Sequence, residues 1–209
     1  VAEAGLARCC DVFCETVAFT VAESERILRA GLDAGLLPKV HAEQLGRFGG
    51  AALAAAVGAV SADHLDFATP EDLAALARAG TVAVLLPGCP VSLGRPSWPD
   101  ARPFLAAGAT VAVSTDFNPG SSPSQDLPLM ASFAMAFCRL PLRRAWESVT
   151  TAAAAALALS DRVGRLAPGY QGDLVVYRDP DPAHPFYAFG GTLPAAVVKR
   201  GAVVVREEV

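Results

Sequence analysis

Three residues in this 209-residue sequence sit where chemistry is usually built: His41 in KVHAEQ, His64 in SADHLDF and Asp116 in VAVSTDFNPGSSPS. Each follows a short apolar run and precedes a polar loop. A lone His or Asp in that position is commonly structural, but three of them recur at the spacing of a repeating unit. His41 and His64 are 23 residues apart, Pro87 follows 23 later and Asp116 another 29. Neutral imidazole and carboxylate are the usual donors to a catalytic zinc or iron that keeps a position open for water. Convergence of His41, His64 and Asp116 on one rim is therefore the central expectation, and metal-assisted hydrolysis the leading reaction class. Around them, Gln44 has an amide able to hold a substrate carbonyl. Asn118, Gly120, Ser121 and Ser122 read either as turn formers or as a cradle whose N–H groups face an anion or amide. Glu15, Glu43 and Asp63 are read as solvated or structural, and His184 as a surface residue. No Gly-x-Ser-x-Gly elbow is present, so serine-hydrolase chemistry is not suggested.

The elements that must position these residues alternate along the chain. Cys10–Cys14, Lys39–Glu43, Ala59–His64, Thr81–Leu86 and Thr110–Thr115 read as strands. Helices are expected at Val21–Ala34, Gly50–Val57, from Pro70 to a stop at Gly80, and over Trp98–Ala107. Thr20 with Glu23 forms a capping box, and Thr69-Pro-Glu-Asp caps the third helix with proline at its first position. Near-continuous apolar strands separated by helices predict a parallel sheet, and no GxGxxG loop follows any strand. The fold class is therefore α/β, part of a (β/α)8 barrel, whose C-terminal strand ends carry the chemistry. Beyond Asp116 the pattern predicts helices over Gln125–Cys138 and Pro141–Leu159. Short β-segments at Gly164–Gly169, Asp173–Tyr177 and Val197–Val205, with no helix between them, then read as a small β-sandwich module. The expected division is 1–160 for the barrel portion and 161–209 for that module.

Composition bounds the function. The formal net charge is −4 with no basic cluster, which removes nucleic acid and acidic membranes as expected partners. No apolar run approaches the roughly 18 residues of a spanning helix. Five cysteines, none in a CxxC pair, read as free thiols of a reducing compartment rather than a zinc knuckle. No signal-peptide pattern opens the sequence, and a cytoplasmic location is expected.

The runs KVHAEQL, SADHLDFAT, VAVLLPG and STDFNPGSSP resemble imidazolonepropionase, a family of the amidohydrolase superfamily. The tail GRLAPGYQGDLVVY followed by VVKRGAVVV is similar to the superfamily's C-terminal β module. The resemblance implies that His41 and Asp116 ligate one zinc or iron, with Asp116 also shuttling a proton. It implies that His64 polarises the substrate, and that Gln44, Asn118, Gly120 and Ser121 contact substrate or product. The implied reaction is hydrolysis of 4-imidazolone-5-propanoate to N-formimidoyl-L-glutamate in histidine degradation. The family's first-strand His-x-His pair has no counterpart in this sequence, nor have its upstream substrate-holding Arg, Tyr and His. The chain is thus expected to match the C-terminal portion of such an enzyme, from about the fourth strand, and to be inactive alone. A homodimer, or association with the missing N-terminal half, is the expected assembly. Two rival readings are an aromatic deaminase of the same superfamily and a non-catalytic scaffold.

Overall fold

The computed structural model describes residues 1–206. Five strands, β1 (Cys9–Cys14), β2 (Leu37–Ala42), β3 (Ser61–His64), β4 (Val82–Leu85) and β5 (Val111–Val113), form one sheet in chain order. Every pairing is parallel, and the register sets Phe13 beside His41, His41 beside Asp63 and Ala42 beside His64. All residues of β3, β4 and β5 are buried; β4 and β5 accordingly read as unbroken apolar runs, whereas β3 buries the polar Ser61, Asp63 and His64.

The crossovers are α1 (Val21–Asp33), α2 (Gly50–Ala56), α3 (Pro70–Ala79) and the pair α4 (Gly88–Ser92) and α5 (Ala101–Ala106). Both expected capping boxes are present, Thr20 with Glu23 and Thr69 with Asp72. Gly80 adopts φ 72° at the end of α3, the left-handed turn for which glycine carries no steric penalty. Contact is close where α1 meets β1, since a methyl on Gly31 would lie 2.7 Å from the Cys10 Cβ. Helices α1, α2, α3 and α5 share one core with Ala83, Leu85, Val111 and Val113, joined by α6 (Leu127–Ala136) and α7 (Leu142–Ser148).

The alternate residues Val82, Val84, Leu86 and Ala112 pack instead with Ala152 and Ala156 of α8 (Thr151–Ala156). That helix therefore covers the other sheet face. Lys39 donates to the Ala156 carbonyl at 3.3 Å, which places α8 across the strands on the His41 side of β2.

Three expectations require correction. Pro141–Leu159 is two helices rather than one, broken at Val149 and Thr150. Gly164–Gly169 is a run of turns, not a β-segment. The tail forms the expected small β module, an antiparallel sheet of β6 (Leu174–Val176), β7 (Ala196–Lys199) and β8 (Ala202–Arg206). A short helix, α9 (His184–Tyr187), interrupts that tail, and its Phe186 is buried in the main core.

Candidate metal centre

His41 leaves β2 one residue before its end, and His64 is the last residue of β3. Asp116 lies three residues past β5. Parallel register brings all three to the C-terminal rim, where donor atoms of His41, His64 and Asp116 lie within 4.8 Å of one another. His64 Nε2 is 4.0 Å from Asp116 Oδ2, and the two imidazole centroids are 5.2 Å apart. They line a cavity of about 260 Å³ together with Asp11, Phe13, Gln44, Asn118 and Ser121.

Local backbone geometry supports a built site. His64 (φ 78°), Leu65 (φ 62°), Asp116 (φ 49°) and Glu43 (φ 54°) all adopt left-handed conformations that side-chain-bearing residues avoid. Such strain gathers where surrounding structure over-determines a functional turn. Glu43, fully buried, accepts N–H groups of Phe48, Gly49 and Ala51, and so ties the β2 exit to the start of α2.

Environment separates the titratable groups. Burial drives His64, only 2 % exposed, down to about 3, and the neighbouring His41 and Arg95 add to this. It is a neutral imidazole at ordinary pH. Burial also opposes charge on His41, yet Asp11, Asp63 and Asp116 outweigh it and raise the imidazole above its ordinary value. Asp11 Oδ2 lies 2.9 Å from His41 Nδ1, and Asp11 is the foremost of the influences that favour the charged imidazole. Burial raises Asp116 as well, reinforced by Asp63 and opposed by His41.

The Asn118 loop is internally organised. Asn118 Oδ1 accepts from the N–H groups of Gly120 (2.9 Å) and Ser121 (2.8 Å), and its Nδ2 donates to the Asp116 carbonyl at 2.8 Å. Those two N–H groups face Asn118, as in an Asx turn, rather than the cavity. Gln44, Asn118 and Ser121 line the cavity; Gly120 is not among its lining residues. Glu15 and Asp63 do not line the cavity: Glu15 accepts the N–H groups of Gln44 and Leu45 in the turn after β2, and Asp63 accepts from Ser61 at 2.7 Å. His184 lies apart, facing Asp179 at 3.8 Å.

Asp11 and Phe13 escaped the sequence reading. Their signal was available, because residues two apart on a strand share a face, and Asp11 interrupts an otherwise apolar strand.

The sequence profile of the amidohydrolase family matches residues 22–204. The chain belongs to the amidohydrolase family. Among curated relatives, imidazolonepropionase of Paracidovorax citrulli is 45% identical over 205 residues, covering 98% of this chain and 49% of that protein. The Haloarcula marismortui imidazolonepropionase is 46% identical over 200 residues, 96% of this chain and 47% of that protein. This amidohydrolase chain thus spans about half the length of the curated relatives it matches. Solved structures with the same fold include a zinc-bound adenosine deaminase of Xanthomonas campestris, with TM-score 0.75 and 19% identity over 91% of this chain and 50% of that one. Atrazine chlorohydrolase of Arthrobacter aurescens, complexed with zinc, gives TM-score 0.72 at 18% identity over 92% and 49%. The expected resemblance holds along nearly the whole chain.

Proposed function

We propose that this chain carries part of the active site of a metal-dependent cyclic amidase. The proposed reaction is hydrolysis of 4-imidazolone-5-propanoate to N-formimidoyl-L-glutamate. The observation that carries this reading is the convergence of His41, His64 and Asp116 at one cavity. Identity of 40% to 46% to imidazolonepropionases supports the substrate, and zinc in two structural neighbours supports the metal.

The donor set fits a divalent ion. Two imidazoles and a carboxylate suit zinc or iron, and burial favours in His64 the neutral form that a metal-ligating imidazole needs. The three donor atoms already lie within 4.8 Å of one another. His41 and Asp116 would hold the ion. When bound, it supplies Lewis acidity and lowers the pKa of a water toward neutrality.

The chain's own groups do the rest. Asp116, whose burial favours its protonated form, takes the proton as water adds to the ring carbonyl and returns it to the departing ring nitrogen. His64 donates an imidazole N–H to the carbonyl oxygen as negative charge grows there. Gln44, Asn118 and Ser121 orient the substrate against that pair.

Asp116→Asn in the protein that carries this sequence preserves side-chain size and removes the proton acceptor. Turnover is expected to fall by about 10³-fold or more. Zinc affinity in calorimetric titration is expected to weaken about tenfold or more. Near-parental turnover in Asp116→Asn would overturn the assignment. A deaminase would instead release ammonia from an aminated heterocycle, and assaying both products separates the two.

A further inference from the structure

Gln44 is held from three directions. Its backbone N–H donates to Glu15 Oε1 at 2.5 Å, and the next N–H, of Leu45, reaches the same oxygen at 3.0 Å. Its carbonyl accepts from Arg95 Nη1 at 2.8 Å. Its side-chain Nε2 donates to Cys89 Sγ at 3.4 Å. Glu15 follows β1, while Cys89 sits in α4 and Arg95 lies just beyond it, so two separate segments converge on one cavity-lining residue.

The contacts are stronger than a surface turn requires. Glu15 is 1 % exposed, and hydrogen bonds from N–H groups to a buried carboxylate are short and directional. Its second oxygen, Oε2, is buried and makes no hydrogen bond among the described residues. Burying a carboxylate is costly unless it is bonded, and the bonds that Glu15 makes go to the backbone of Gln44 and Leu45. The turn it grips begins at Glu43, whose φ of 54° resists relaxation only while neighbours hold it. Arg95 is tethered in turn, 4.0 Å from Asp66 Oδ2.

We propose that Glu15 is a positioning residue that, together with Arg95, fixes where Gln44 presents its amide in the cavity and thereby sets substrate affinity without touching substrate. This rests on the reading above that Gln44 meets the substrate. A merely structural Glu15 would weaken folding without acting through Gln44, and a double-mutant cycle separates the two. Glu15→Ala is expected to raise KM about tenfold with kcat changed less than about threefold. Glu15→Gln, which keeps an oxygen acceptor for both N–H groups, restores most of that loss. With Gln44→Ala already in place, adding Glu15→Ala moves KM by less than about twofold.

Amide hydrogen exchange supplies a readout independent of turnover. The N–H groups of Gln44 and Leu45 should exchange slowly in the parent protein, quickly in Glu15→Ala and slowly again in Glu15→Gln. If Glu15→Ala does not fold, Arg95→Met reads the same coupling from the carbonyl side. Additive KM effects in the cycle, or unchanged exchange at Gln44 and Leu45, overturn the proposal. Absence of imidazolone hydrolysis with exchange behaving as described would instead retire the substrate assignment and leave the clamp standing.

Discussion

His64 and Asp66 stand two residues apart and are pushed in opposite directions by the same burial. His64 falls from 6.5 to about 3, helped by His41 and Arg95. Asp66 rises from 3.8 to about 7, and Arg95 only partly offsets that. For His64 the unfolded chain binds the proton that the folded one refuses, so stability is lost as pH falls from about 6.5 towards 3. For Asp66 the folded chain binds the extra proton, so stability is lost as pH rises from about 3.8 to 7. Each slope approaches about 1.4 kcal/mol per pH unit, and between about pH 4 and 6.5 the two oppose each other. Removing either unmasks the other. In chelator-containing buffer, Asp66→Asn should lose Tm on acidification from pH 7 to 4 more steeply than the parent, and His64→Gln less steeply. Calorimetric scans across that range decide it; three parallel Tm profiles would show that neither group is perturbed as described.

At the scale of elements, the helix starts rank themselves by how their first N–H groups are satisfied. Thr20 and Thr69 cap α1 and α3 from exposed or half-buried sites. The start of α2 has only Gly49 as its cap, without a side chain to help, and depends on buried Glu43. Loss of an N-cap threonine costs about 1 kcal/mol, whereas stranding several buried N–H groups costs about 2–4 kcal/mol. Urea midpoints should therefore fall much further for Glu43→Ala than for Thr20→Ala or Thr69→Ala; equal falls would mean that the Glu43 bonds contribute little. Both capping boxes were readable because their partners are three residues apart. Glu43 reads only as solvated or structural, since its partners are set by a turn that sequence does not specify. The same limit hid the break before α8. No Gly or Pro marks it; instead Ser148 and Thr150 turn their hydroxyls back onto the carbonyls of Ala145 and Trp146 and compete with helix propagation. Short α4 was missed for the opposite reason, because GCPVS contains both residues that usually end helices. His41, His64 and Asp116 were legible from the period of the βα unit. Glu15 and Arg95, which act on Gln44 across the sheet, have no sequence spacing that betrays them.

For the whole molecule, the arrangement of strands carries a consequence in solution. The parallel sheet has β1 at one edge and β5 at the other, and apart from one bridge between Cys14 and Phe19 neither has an outer partner among the described residues. Rows of unpaired N–H and C=O groups on a parallel sheet are templates for another strand. The tail adds an apolar surface, with Val203, Val204 and Val205 of β8 all about half exposed. An unpaired strand edge and an exposed apolar sheet favour contact with a further strand or apolar surface. Sedimentation velocity from about 1 to 100 μM, a range in which modest apolar contacts act, should show mass growing with concentration. Val204→Glu places a charge on the exposed tail sheet and should shift the distribution toward the monomer if that surface takes part. A substitution confined to the tail leaves the strand edges open, so residual association in Val204→Glu would assign the remainder to β1 and β5. A single concentration-independent monomer across the whole range would show that the edges are protected in solution.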